Sequence, residues 1–108
     1  MAVELNQDNF KTNVQGALTL VDFWAPWCGP CRRMEPVLHE LELQFKGRVK
    51  FAKVNVDQQQ ELARRYQVMG LPSYVLFREG KGTEKVTGVY SVEQLAHYLN
   101  RKLAEFSC

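Results

Sequence analysis

At 108 residues, 45% hydrophobic and 24% charged, the chain has the size and make-up of one globular domain, expected to span 1–108 without an internal boundary. Fourteen Lys and Arg against twelve Asp and Glu leave a net charge of +2 with both signs interspersed, which excludes the basic footprint of a nucleic-acid or anionic-membrane binder. Three cysteines, an odd number, argue against the paired disulfide framework of a small secreted domain.

From the amino terminus, Met1 to Asn6 carry neither a basic n-region nor an apolar h-region, and no run approaches the roughly 18 apolar residues of a membrane span. A cytoplasmic location is expected. Val3 and Leu5 suggest a short edge strand, and Asn6 to Val14, with Phe10 and Val14, a helix. Residues 18 to 25, Leu-Thr-Leu-Val-Asp-Phe-Trp-Ala, form a nearly continuous apolar run that reads as a central strand buried on both faces. Asp22 stands in the middle of it. Met34, Val37, Leu38, Leu41 and Phe45 then recur at helical spacing until Gly47 supplies a stop. Pro36 inside that helix predicts a kink. Val49 to Val56, an apolar run interrupted by Lys53, reads as a second strand parallel to the first, completing a βαβ unit.

Asp57, with Gln60 three residues on, has the spacing of a capping box for a short helix through Leu62 and Tyr66. Gly70-Leu71-Pro72 precedes a third strand over 73–77, and the turn signal Glu79-Gly80-Lys81-Gly82 leads into Lys85-Val86-Thr87, an antiparallel hairpin. Ser91 with Gln94 forms another capping box, opening a last helix whose apolar face is Val92, Leu95, Leu99, Leu103 and Phe106. This order predicts an α/β fold with a mixed sheet between helices. Its chemistry belongs at the carboxyl end of a central strand.

That end carries Trp27-Cys28-Gly29-Pro30-Cys31. Residues three apart on a helix have Cβ atoms about 5–6 Å apart, and a disulfide wants Cα atoms roughly 4.4–6.8 Å apart, so the two thiols can pair and separate without moving the scaffold. The attacking species is a thiolate, and the positive end of a helix favours one. Cys28, nearest the helix start, is the expected nucleophile. Cys31, one turn inside, is expected to be more shielded and to act as resolving thiol. Gly29 permits close backbone approach, and Pro30 has no N–H to leave unpaired. Trp27 is expected at the surface and Trp24 in the core. A carboxylate at Asp22 among Leu20, Val21, Phe23 and Trp24 demands a role, either chemical or as an ion-pair partner of Lys53. A structural zinc site would need Cys28, Cys31, Cys108 and a histidine, His39 or His97, but no second close ligand pair exists. Both histidines read as helix-surface residues. Cys108 reads as an exposed terminal thiol.

Val21-Asp22-Phe23-Trp24-Ala25, the Trp27 to Cys31 motif, Lys53-Val54-Asn55-Val56-Asp57, Leu71-Pro72 and Gly88 together resemble the thioredoxin family, in order and across the chain. The resemblance implies a thioredoxin fold, a central mixed five-stranded sheet flanked by four helices. It further implies that Asp22 lies beneath the disulfide and exchanges a proton with Cys31, that Lys53 tunes it, and that Pro72 is cis beside the cysteines. A shallow client-docking surface would comprise Trp27, Gly29, Pro30, Gly70, Leu71, Pro72, Gly88 and Val89, with the Leu71 backbone pairing to the bound segment. Cys108 and the Met69-Gly70 lead into the proline loop depart from the pattern.

The implied activity is general protein-disulfide reduction by a monomer. Electrons would come from a flavin-containing, NADPH-dependent thioredoxin reductase, since the chain has no dinucleotide signature and needs no bound cofactor. Two alternatives share the fold: a non-catalytic binding subunit, and an oxidase or isomerase. The Gly29-Pro30 dipeptide resembles the reducing branch.

Overall fold

The structure, a computed structural model, describes residues 2–105. Phe106 and Cys108 lie outside the described residues. The central strand β2 is Thr19–Trp24 and continues through the thiol motif into the long helix α2, Gly29–Gln44. Strand β3, Lys50–Asn55, runs parallel beside β2, and the two-residue edge strand β1, Val3–Glu4, runs parallel beside β3. On the other side, β4 (Ser73–Arg78) is antiparallel to β2 and to β5 (Lys81–Thr87). The sheet order is β1-β3-β2-β4-β5, with helices α1 (Phe10–Asn13), α3 (Gln60–Arg65) and α4 (Val92–Glu105) completing the expected element order. None of the described helices is long and apolar enough to cross a membrane.

Strand alternation divides the core into two layers. Val21 and Phe23 face the same way as Ala52, Val54, Val75 and Phe77, and are covered by Phe10 of α1 and Leu62 of α3. Leu20 and Leu76 face the opposite way, under Met34 and Leu41 of α2 and Leu95 and Leu99 of α4. Asp22 has the parity of Leu20. The pleat therefore directs this carboxylate toward the α2 side, where the thiols are.

Local chemistry accounts for the end of α2 and the start of α4. Gly47, with φ of 84°, follows the end of α2 as expected of a helix stop. The Ser91 and Gln94 box closes reciprocally, Ser91 N–H to Gln94 Oε1 at 2.9 Å and Gln94 N–H to Ser91 Oγ at 3.1 Å. Pro36 sits inside α2, which remains one element from Gly29 to Gln44.

Two expectations need correction. Helix α1 is far shorter than Asn6 to Val14, because the Asn6 side-chain oxygen accepts from the N–H groups of Asp8 and Asn9 at 2.8 and 3.0 Å and holds those residues in a turn. Asp57 does not cap α3. The helix starts at Gln60 with Gln59 at the N-cap position, and the Asp57 carboxylate is instead occupied by the indole of Trp27.

Candidate active site

Helix α2 begins with a sulfur as its cap. Cys28 occupies the N-cap position in an extended conformation, φ −88° and ψ 107°, and its Sγ accepts the Cys31 N–H at 3.2 Å. An N-cap side chain commonly takes this hydrogen bond through oxygen. Here the same backbone donor, at the positive end of the helix dipole, is directed at a sulfur, a placement that favours a thiolate once the disulfide is reduced. Pro30, in the first turn, contributes no unpaired donor.

Cys28 and Cys31 are disulfide-bonded with Cα atoms 5.3 Å apart. The expected difference in shielding between them is absent, each being 4% exposed. Both pack with Ala25 against Trp24, Val56 and Leu71. What separates the two sulfurs is their surroundings. Cys28 takes the helix donor, whereas Cys31 lines a cavity of about 10 Å³ shared with Asp22, Trp24, Arg32, Glu35 and Lys53, about the room that one water molecule needs.

Asp22 borders that cavity from below. Its Oδ1 is buried with no hydrogen-bond partner, and loss of solvent pushes the carboxyl from its ordinary 3.8 up to about 7, with Lys53 opposing the shift and Glu4 and Glu35 adding to it. Lys53 opposes Asp22 in the β2–β3 register, yet its ion pair is with Glu4 Oε2, at 3.7 Å. Its ammonium also lies over the Trp24 ring, 4.5 Å from the centroid. Trp24 is half-buried rather than fully in the core, with its indole N–H covered and unpartnered.

Among the described residues, three large apolar side chains outside the helices and strands are exposed. Trp27 is 67% exposed, Met69 93% and Val89 52%. The Trp27 indole is fixed by Asp57, its N–H lying 3.0 and 3.2 Å from the two carboxylate oxygens. Nothing local in the sequence signals this pairing across 30 positions. The Leu71–Pro72 peptide is cis. Its loop is held by Ser73 Oγ, which donates to the Gly70 carbonyl at 2.6 Å and lies 3.0 Å from Thr87 Oγ1. The Gly88 N–H reaches the Pro72 carbonyl at 3.0 Å, and Gly88 has φ of 117°, a conformation that glycine adopts without strain. The structure thus brings Leu71 to the cysteines directly and links Gly88 to Pro72 through the backbone. Nothing in the local sequence marks Arg32, whose guanidinium closes the preceding turn by donating to the Pro26 carbonyl at 2.7 Å.

His39 and His97 are exposed on their helices. Among the described residues no group of three or more His, Cys, Asp or Glu is arranged to hold a metal ion.

The thioredoxin family model matches residues 1–101. A thioredoxin of Staphylococcus haemolyticus is 39% identical over 101 residues, covering 94% of this chain and 97% of that relative. Those of Staphylococcus saprophyticus and Staphylococcus aureus are each 38% identical over the same length and the same shares.

Proposed function

The chain belongs to the thioredoxin family and is a thiol-disulfide oxidoreductase, and from that premise we propose that it is a general reductase of protein disulfides, working as a single-domain monomer in the cytoplasm. The observation that carries the assignment of roles is the Cys31 N–H directed at Cys28 Sγ. Cys28, as thiolate, attacks one sulfur of a client disulfide, and the other client sulfur leaves as a thiolate. A mixed disulfide joins Cys28 to the client. Cys31 gives its proton to the Asp22 carboxylate, attacks Cys28 Sγ, and releases the second client sulfur. The client gains two electrons and the Cys28–Cys31 disulfide forms. An NADPH-dependent thioredoxin reductase returns the two electrons.

Asp22 suits the proton step because a carboxyl near 7 is basic enough to accept a thiol proton and ionised often enough to be ready for it. Lys53 adjusts that balance. Trp27, Gly29, Pro30, Gly70, Leu71, Pro72, Gly88 and Val89 receive the client, with the Leu71 backbone pairing to its extended segment. The exposed Trp27 and Val89 supply apolar area for such docking.

Trapping tests the roles. Cys31→Ser is expected to accumulate a mixed disulfide with a protein client, and Cys28→Ser to accumulate little. Alkylation of the reduced protein at mildly acidic pH is expected to label Cys28 first; preferential labelling of Cys31 would reverse the assignment.

A further inference from the structure

Strand β1 is two residues long, and its pairing with β3 sets Glu4 opposite Lys53. The Leu5 N–H fixes this register by donating to the Lys53 carbonyl at 2.8 Å. On its other side Lys53 is opposite Asp22 of β2. One lysine therefore stands between two carboxylates, one from each neighbouring strand. The pair within 4 Å is the outer one, Lys53 Nζ to Glu4 Oε2 at 3.7 Å. The inner carboxylate keeps a buried, unpartnered Oδ1. The ammonium rests on the Trp24 ring, which gives it a second reason to stay where it is.

A partly exposed ion pair contributes little to stability. Its effect on a buried neighbour is less screened. Besides Lys53 and Glu4, the groups facing Asp22 are Glu35 and Arg32 of α2 and Tyr74 of β4. Asp22, Glu35 and Lys53 also line a cavity of about 300 Å³ beneath α2, with His39 and Glu42 farther along it. Lys53 already borders that space beside Asp22, so a released side chain has room to approach the carboxylate.

We infer that Glu4 is a positioning residue: by holding the Lys53 ammonium at its own carboxylate and over the Trp24 ring, it keeps that charge from settling on the Asp22 carboxylate. Glu4 acts through Lys53 and touches neither client nor thiols. Its consequence for turnover rests on Asp22 being the proton acceptor. Glu4 also disfavours the Asp22 anion directly, by its own charge, and a background without the Lys53 ammonium separates that direct effect from the positioning.

The test is a ¹³C NMR titration of the Asp22 carboxyl in the oxidised protein. Glu4→Gln is expected to lower its midpoint by about half a pH unit, the size of coupling that such pairs show, and Glu4→Asp to restore part of the shift. Lys53→Met is expected to raise the midpoint. Adding Glu4→Gln to Lys53→Met should then produce less than half the shift seen in the parent. An unchanged midpoint in Glu4→Gln overturns the inference, as does an undiminished shift in the Lys53→Met background. The pH profile of mixed-disulfide resolution should move with the midpoint. If the midpoint moves and the profile stays, the role of Glu4 stands and that of Asp22 as proton acceptor falls.

Discussion

Helices α2 and α4 begin with the same geometry and different atoms. At α4, Ser91 Oγ accepts the N–H of Gln94, three residues on, and the Gln94 side chain answers to the Ser91 N–H. At α2, Cys28 Sγ accepts the N–H of Cys31, also three residues on, and the Cys31 side chain answers by bonding to Cys28 sulfur. One start is a stability device at the surface. The other places the identical backbone donor on a group whose anion is a nucleophile, so that a routine solution to unpaired helix donors becomes the means of activating a thiol.

The sharpest way to break the comparison is to give α2 the cap of α4. Cys28→Ser retains an oxygen that can accept the Cys31 N–H and removes the attacking sulfur. Reduction of a protein disulfide should fall to the uncatalysed rate. The reduced variant should unfold within about 1 kcal/mol of the reduced parent, because serine caps well. Denaturant unfolding of both proteins under reducing conditions checks the second half. A large loss of stability would mean that the sulfur is needed for packing against Leu71 and Val56, beyond its part in the cap.

Asp22 sharpens the contrast from the other direction, since burial there works against an anion while the helix start at Cys28 favours one. Its carboxyl is near 3.8 unfolded and about 7 folded, so between those values the folded state holds more protons. The stabilisation is complete below about 4, falls as pH rises, and is lost above about 7. Asp22→Asn does not titrate. The variant should therefore gain on the parent from pH 4 upward and level off above 7, by at most about 4 kcal/mol. Resolution of the mixed disulfide should slow by about a hundredfold at and below pH 7. The deficit should shrink at alkaline pH, where Cys31 ionises unaided. Unfolding and single-turnover kinetics across pH 5 to 9 measure both. A less stable variant with unchanged turnover would make Asp22 a structural residue.

The two helix starts also mark what a sequence displays. Both caps are local, and the periodicities that define β2, α2 and α4 are local too, so the thiol pair and the α4 box are legible from spacing, and Asp22 from its place in an apolar run, while the role of Asp22 comes only from the family resemblance. Other features depend on which residues the fold brings together. Asp57 has the spacing of a cap and serves as an anchor for Trp27, 30 positions away. Lys53 has two possible carboxylate partners on neighbouring strands, and only three-dimensional placement selects Glu4. The position of Cys31 one turn into α2 suggests shielding, but Leu71, Val56 and Trp24 cover both cysteines alike. Asn6 sits in an apparently helical stretch, and its own side chain diverts the backbone into a turn.

At α4 the expected effect is smaller. Ser91→Ala removes the oxygen that accepts the Gln94 N–H and should cost about 1 kcal/mol, lowering the melting temperature by a few degrees. Reduction kinetics should be unchanged. If Ser91→Ala slowed reduction, the nearby Gly88 and Val89 segment would depend on the α4 start, and the two helix ends would not be separable into structural and chemical roles.

The smallest effect is expected beside α2, at the anchor of Trp27. The indole N–H is held by both Asp57 oxygens, but the contact is exposed and water competes for it. Asp57→Ala should let the ring sample other rotamers, so that a client must pay the cost of ordering it on docking. Such a loss, at the low end for a single hydrogen bond, corresponds to about a two- to threefold rise in KM for protein clients. The maximal rate should hold, because Asp57 touches neither sulfur. A small-molecule disulfide that does not cover Trp27 should be reduced as before, and that difference between substrates is the decisive readout. Equal losses for both substrates would mean that Asp57 acts on the thiol pair itself, through the start of α2, and that the chemical end of that helix extends farther than the Cys28 cap.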